Sequence, residues 1–325
     1  MLQPSDAWQP SADLATLQQR AAMLRQVRDF FYRRNVLEVD TPLLARFGVT
    51  DPHLTNLTTQ LSGDSHNWAL QTSPEFAMKR LLAAGSGCIY QLGKAFRDDE
   101  QSARHNPEFT LLEWYRIGFD LKQLMAELEQ LLQLLLVDAP AANYLTYQQA
   151  FQRYLQVDPF AVNSHSVLQQ ALQSYASVAD VARRENDSDT LQQLAMACVI
   201  EPQLDPAIPT FITHYPASQA ALACLSNTDS RVAERFELFY GGLELANGYH
   251  ELTDAVLQQQ RFVADQQQRS LLSRPPASAD TRLVAALTHG LPACAGVAVG
   301  FDRLVMLRCG QQHIRQVLPF AIDRA

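Results

Sequence analysis

The sequence predicts an α+β fold in which an antiparallel β-sheet is flanked by helices. Three observations point to it: strand-like runs joined by short turns, a two-glycine hairpin signal at Gly241-Gly242, and long helical excursions where a regular strand–helix alternation would otherwise stand. With 325 residues and 47% hydrophobic content, the chain can bury a large core, as one domain or as one domain with an insertion.

The elements follow in order. After a polar N-terminal tail (1–15), Leu14, Leu17, Leu24, Val27 and Phe31 recur at helical spacing, with Ser11 or Asp13 as cap and an end near Asn35. Val36 to Val39 read as a short strand stopped at Thr41-Pro42, because proline cannot donate to a ladder. Trp68 to Thr72 form another strand; Ser73 then caps a helix with Pro74 in its first turn, closing at Gly85. Further strands are expected at Ile89 to Leu92 and Thr110 to Tyr115. Residues 120–210 are rich in Leu, Gln and Ala and read as a mainly helical insertion, with loop signals at Asp138-Ala139-Pro140 and Arg184 to Ser188. Strands resume at Phe211 to Tyr215, Phe236 to Tyr240 and from Leu243, followed by a charged helix from about Asp254 to Leu272 and a Pro/Ser-rich link, Ser273 to Ala279. The chain returns to a glycine-rich strand and helix at Gly296 to Leu307.

A formal net charge of −8 argues against a dedicated nucleic-acid surface, since such binding rests on Lys and Arg neutralising phosphates; a local basic groove stays possible. The five cysteines form no CxxC pair and have no histidine at metal-ligand spacing, so a disulfide framework or zinc site is not expected. No basic leader precedes an apolar run, and none approaches the roughly 18 apolar residues of a membrane span; a soluble, cytoplasmic protein is expected.

The chemistry concentrates in Phe96 to Tyr115. Arg97 and Arg104 flank an acidic turn, and His105, Asn106, Glu108 and Phe109 lead into the apolar strand, a pattern that suits a polyphosphate under a stacked base. In the glycine hairpin, Glu244 lies opposite Phe239, and Glu237 shares its face roughly 7 to 8 Å away, within reach of one divalent cation. The same pair also reads as two solvated strand glutamates. Glu251 falls on the opposite face of a regular strand and joins them only if Gly248 forms a bulge. Gly300-Phe301-Asp302-Arg303 places a guanidinium in the first turn of a helix, either for a ligand or for a nearby acid, and Glu75 either favours its helix N-terminus or holds a substrate amine. No Ser-His-Asp or Cys-His arrangement supports a hydrolytic triad.

Taken in order, these pieces resemble the three signature motifs of class II aminoacyl-tRNA synthetases: the first helix, strand and Pro42; Phe96 to Tyr115; and Gly296 to Leu307. The lysyl branch is the nearest in pattern, through Arg104 to Thr110 and Glu244 to Gly248. Two features depart from it. The catalytic domain (16–325) starts almost at the N-terminus, with no anticodon-binding domain, and Ala298 replaces a motif glycine. In both respects the chain resembles the stand-alone paralogue family that uses ATP to activate (R)-β-lysine as an adenylate and passes it to a lysine of elongation factor P. A truncated lysyl-tRNA synthetase and a non-catalytic synthetase-like regulator are the alternatives. The resemblance implies Arg97 and Arg303 as catalytic, and Arg97, Asp98, Asp99, Arg104, His105, Asn106, Phe109, Glu244, Leu245, Gly300 and Arg303 around ATP, with either Asp99 or Glu100 reading adenine. It implies Glu237 and Glu244 on magnesium, and Ser73, Pro74, Glu75, Tyr115, Asn247, Glu251 and Ala298 around the amino acid. It further implies a homodimer and no tRNA or membrane partner.

Overall fold

The computed structural model describes residues 8–98 and 101–325. Two compact units divide the chain: one runs to Asp138 and resumes from Glu251 to Ala325, and the other spans Ala139–His250.

The first unit opens with α1 (Leu14–Tyr32), capped by Asp13, whose carboxylate accepts from Thr16 N at 2.7 Å. Its buried face is Thr16, Arg20, Met23, Val27, Phe30 and Phe31, rotated from the expected leucine stripe, and Leu14 is 74% exposed. The two stripes share Val27 and Phe31, and the observed one also takes in Arg20, which has buried polar partners.

Then come β1 (Leu37–Glu38), β2 (Leu44–Ala45), β3 (Thr58–Gln60), β4 (Asn67–Leu70), α2 (Glu75–Ala83), β5 (Ile89–Phe96), β6 (Glu108–Ile117) and α3 (Leu121–Leu135). Strands β2, β4 and β3 make a small antiparallel sheet. In the larger sheet β1 pairs in parallel with β5, and β5 pairs antiparallel with β6 from Ile89↔Tyr115 to Phe96↔Glu108. Ser73 Oγ accepts from Glu75 N at 3.0 Å, but the helix starts one residue later than expected, with Pro74 at the cap rather than at the first helical position; Gly85, at φ +87°, follows its end.

The second unit holds β7 (Asn143–Thr146), α4 (Tyr147–Leu155), α5 (Ser164–Leu172), α6 (Ala179–Ala182), α7 (Ser188–Ala195), β8 (Thr210–Pro216), β9 (Val232–Tyr240) and β10 (Leu243–His250). Tyr147, Phe151, Leu168, Leu172, Leu191, Ile200, Ile212 and Phe239 form its apolar core. Strand β7 was not expected: it is short, half-exposed and parallel to β8, so it lacks the alternation that marks a strand. The hairpin β9–β10 turns on Gly241 and Gly242, both at positive φ, and pairs Glu244 with Phe239 as the sequence indicates.

The chain re-enters the first unit through α8 (Ala255–Leu271), capped by Asp254, α9 (Thr281–Gly290), β11 (Cys294–Gly300) and α10 (Phe301–Cys309). Helix α9 is a further addition to the sequence reading. Strand β11 pairs antiparallel with β6 throughout its length. The sheet pairings are therefore mostly antiparallel, with the parallel pairs β1/β5 and β7/β8 as the exceptions.

One buried ion pair joins three segments of the first unit. Arg20 on α1 meets Asp302 on α10 at 2.6 Å and donates to Thr110 Oγ1 on β6 at 2.7 Å, while Asp302 accepts from Thr110 N at 2.7 Å. Arg20→Met should lower stability by about 3–5 kcal/mol, because it strands a buried carboxylate; urea unfolding checks this.

Candidate active site

Strands β6 and β11 build the floor of the site in the first unit. Their register sets Tyr115 opposite Gly296, Glu113 opposite Ala298 and Leu111 opposite Gly300, and alternation puts all six on one face. Helix α2 brings Glu75 and, one turn on, Lys79. Ser73 links the helix start to the floor, since its Oγ donates to Glu113 Oε2 at 2.7 Å while accepting from Glu75 N. Pro74 is buried beside it.

Lys79 is 1% exposed and lies 2.7 Å from Glu75 Oε1 and 2.6 Å from Glu251 Oε2. Glu251, 3% exposed, is anchored by its own N–H to Cys294 O at 3.0 Å, and its Oε1 has no hydrogen-bond donor among the described residues. Glu113 accepts from Ser73 Oγ and from Tyr115 OH, each at 2.7 Å. Burial pushes Glu251 up to about 8 against the pull of Lys79, and pushes Glu113 up to about 7, helped by the negative charge of Glu75. Burial alone would lower the Lys79 ammonium, but Glu251 and then Glu75 hold it well above its usual value. Burial, then Glu113, also keeps the Tyr115 phenol protonated. The result is a largely buried cluster of three carboxylates around one lysine, in which Glu251 Oε1 has no hydrogen-bond donor among the described residues.

Gly296 is required there. A Cβ at this position would lie 2.3 Å from Tyr115 Cε1 and 2.6 Å from Glu251 Oε1. Ala298, two residues on, is half-buried and carries its methyl on the face of Glu113.

Farther along β6 lie the groups expected at phosphate and base. Arg97 closes the loop with its N–H on Pro107 O, sits 5.1 Å from the Phe109 ring centroid, and has a buried Nε with no partner among the described residues. Asp98 is exposed, its N–H held by Thr55 O; Asp99 and Glu100 lie outside the described residues. Arg104 and His105 are exposed on the loop. Arg303 Nη2 approaches His105 Nε2 at 2.9 Å, so that nitrogen accepts, and Nδ1–H donates to Ser102 Oγ at 2.9 Å. Asp302, the residue before Arg303, pairs with Arg20. Asn106 is used by the protein itself, donating to Glu108 O and accepting from Ile322 N. Gly300 caps α10 with an ordinary φ of −68°.

In the second unit, Glu237 accepts from Tyr215 OH at 2.6 Å and forms an ion pair with Arg235, whose Nε contacts Asn247 Oδ1 at 3.3 Å. The extra residue of β10 lies between Glu244 and Ala246, at Leu245, rather than at Gly248. Asn247 consequently pairs with Glu237, and Glu237, Glu244 and Asn247 share one face. Leu245 is itself 2% exposed, so only its backbone is available to a ligand. Among the described residues no group of three or more His, Cys, Asp or Glu gathers as a metal cage. Each Glu237 oxygen has one hydrogen-bond donor or ion partner among the described residues and keeps a second lone pair, which suits a hydrated magnesium ion.

Lys79 and Glu113 were missed by the sequence reading. Both had a signal: Lys79 follows Glu75 at i+4, and Glu113 is an acid inside an apolar strand. Arg235, flanking Glu237 on β9, gave none.

A family model for class II tRNA synthetases (D, K and N) matches residues 9–324. The chain belongs to this family. A class II synthetase with these features is 51% identical over 98% of both chains to "Elongation factor P--(R)-beta-lysine ligase" of Pseudoalteromonas translucida (strain TAC 125). It is 48% identical, again over 98% of both chains, to the protein of the same name from Hamiltonella defensa subsp. Acyrthosiphon pisum (strain 5AT). Within the synthetase floor, Gly296→Ala should cost about 1–3 kcal/mol by overpacking. Gly300→Ala, whose Cβ would come no closer than 3.4 Å to the flexible Arg303 side chain, should melt near the wild-type temperature; thermal denaturation of both separates a close-packed glycine from a spacious one.

Proposed function

We propose that this enzyme activates (R)-β-lysine with ATP and transfers it to a lysine ε-amine of elongation factor P. The observation that carries the reading is likeness over 98% of both chains to two ligases of that name. The pocket supplies matching chemistry. A diamino acid brings ammonium groups, and Glu75, Glu113, Tyr115 and Glu251 form an environment that is costly without them. In this assignment Glu75 receives the amine nearer the carboxyl group, Glu251 with Tyr115 receives the distal one, and Ser73 and Pro74 hold the helix end that carries Glu75.

In the first step a substrate carboxylate oxygen attacks the α-phosphorus, pyrophosphate leaves, and an acyl adenylate forms. Negative charge grows on an anionic centre, so fixed cations dominate. Arg97 would face the α-phosphate with its unpartnered Nε; Arg104 and Arg303 would take the outer phosphates, with His105, Asn106 and Asp98 shaping the loop. Phe109 would stack adenine, and Leu245 and Gly300 would offer backbone. Magnesium, held by Glu237 and Glu244, would neutralise the phosphate oxygens. In the second step the acceptor amine attacks the carbonyl of the anhydride and AMP departs.

No helix among the described residues is long and apolar enough to cross a membrane, which accords with a cytoplasmic enzyme. Dimerisation through α1 and Pro42, and the absence of tRNA charging, belong to the same reading.

ATP–pyrophosphate exchange with α-lysine and both β-lysine enantiomers, followed by the mass of elongation factor P, tests the proposal. Exchange should be strongest with (R)-β-lysine, and elongation factor P should gain one β-lysyl group; exchange with none of the three would sink it. Ala298→Gly should shift relative activation towards α-lysine by about 10- to 200-fold, the worth of one methyl in a tight pocket.

A further inference from the structure

On the β-lysine reading, which it presupposes, we propose that Lys79 is a specificity-setting positioning residue: a built-in counter-ion that leaves the three-carboxylate pocket with room for two substrate ammonium groups. Ionised, Glu75, Glu113 and Glu251 carry three negative charges, and Lys79 contacts two of them within 2.7 Å. The remaining charge is two, equal to the ammonium count of a diamino acid whose carboxylate is committed to ATP. Lys79 is 1% exposed and fully engaged, so it is unsuited to act as nucleophile or base. Every titratable group that faces it points the same way. Glu75 shares its helix, Glu113 and Tyr115 come from β6, Glu251 from the segment before α8, and Cys294 from β11. Burial keeps the tyrosine and cysteine neutral, which leaves Lys79 as the fixed cation among these described groups.

Its effect falls on Glu251. That carboxylate is buried, and Lys79 is the main partner holding it in the charged form. Without the lysine, Glu251 takes up a proton, and its unpartnered oxygen can no longer receive an ammonium with full charge. Lys79 would thus act on the substrate through Glu251 and Glu75 without touching it.

The test is the pH dependence of KM for (R)-β-lysine in pyrophosphate exchange, from about pH 6 to about pH 9, a span that brackets the raised carboxylates. In the wild type, KM should fall as pH rises, because Glu113 and Glu251 must lose protons before they can hold ammonium groups. In Lys79→Met this limb should move at least about one pH unit to the alkaline side, with KM at neutrality about tenfold higher and kcat changed less than about threefold. Lys79→Arg should keep the wild-type limb. Lys79→Gln, which keeps a polar group in the same space without the charge, should move the limb as Lys79→Met does and decides the matter if Lys79→Met does not fold. A limb of Lys79→Met or Lys79→Gln that coincides with that of an active wild type would overturn the role of Lys79 alone. A wild type that exchanges no pyrophosphate with (R)-β-lysine would overturn the substrate reading and this role together.

Discussion

The contact between Arg20 and Asp302 ties three segments of the first unit to one another. Removing both charges from water costs several kcal/mol, and that cost is met only because every partner is present: Thr110 offers its N–H and hydroxyl, and Val317 its carbonyl. These partners lie on α1, β6, α10 and the turn that follows, so the pair holds the start, middle and end of the chain in one arrangement. Asp302 and Arg303 are consecutive on α10. Successive helical residues point about 100° apart, so drawing Asp302 inward turns Arg303 outward to His105. The orientation of a surface guanidinium therefore follows from a carboxylate that has no contact with any ligand.

The sequence allowed a good part of this to be read, and where it failed the reason is physical. Turns and caps were legible because they depend on local backbone demands: Gly241-Gly242 and Asp254 before α8 stand where expected, and Ser73 accepts from Glu75 N although its helix starts one residue late. The hairpin register followed from its turn. The β10 bulge did not, because neither Leu245 nor its neighbours carry a residue that demands one, and the glycine nearby drew attention to the wrong place. The buried face of α1 includes the expected Val27 and Phe31 but takes in Arg20 in place of Leu14, since hydrophobicity alone counts Arg20 as a surface residue until its distant partner is known. Motif residues such as Arg97, Arg303 and Glu251 could be identified as a set, yet Lys79 and Glu113 gain meaning only when α2 is laid over β6.

Glycine and alanine on β11 divide the floor of the pocket into zones. Gly296 has no space for a methyl because the Tyr115 ring and the Glu251 carboxylate already fill it; that glycine is the condition for their closeness. Gly300 has space, and its role is to let α10 begin beside the loop. Ala298 lies between them, opposite Glu113, and there a methyl group is tolerated by the protein. Three small residues on one strand face thus differ in the space they leave.

The two ends of the site rely on different kinds of charge. On the proposed assignment the phosphates would meet arginines, whose charge is fixed, so the field that opposes the growing negative charge would be constant. The amines would meet Glu113 and Glu251, which burial raises towards neutrality, so that their charge would depend on what is beside them. A fixed field suits a step in which charge develops faster than any side chain could adjust. An adjustable one suits recognition, because an empty pocket can take up protons rather than hold bare anions in a dry space, then exchange those protons for ammonium groups when the substrate arrives. Selectivity follows from that exchange: a ligand with too few amines leaves a carboxylate either protonated or unpaired, and both states forfeit part of the binding energy.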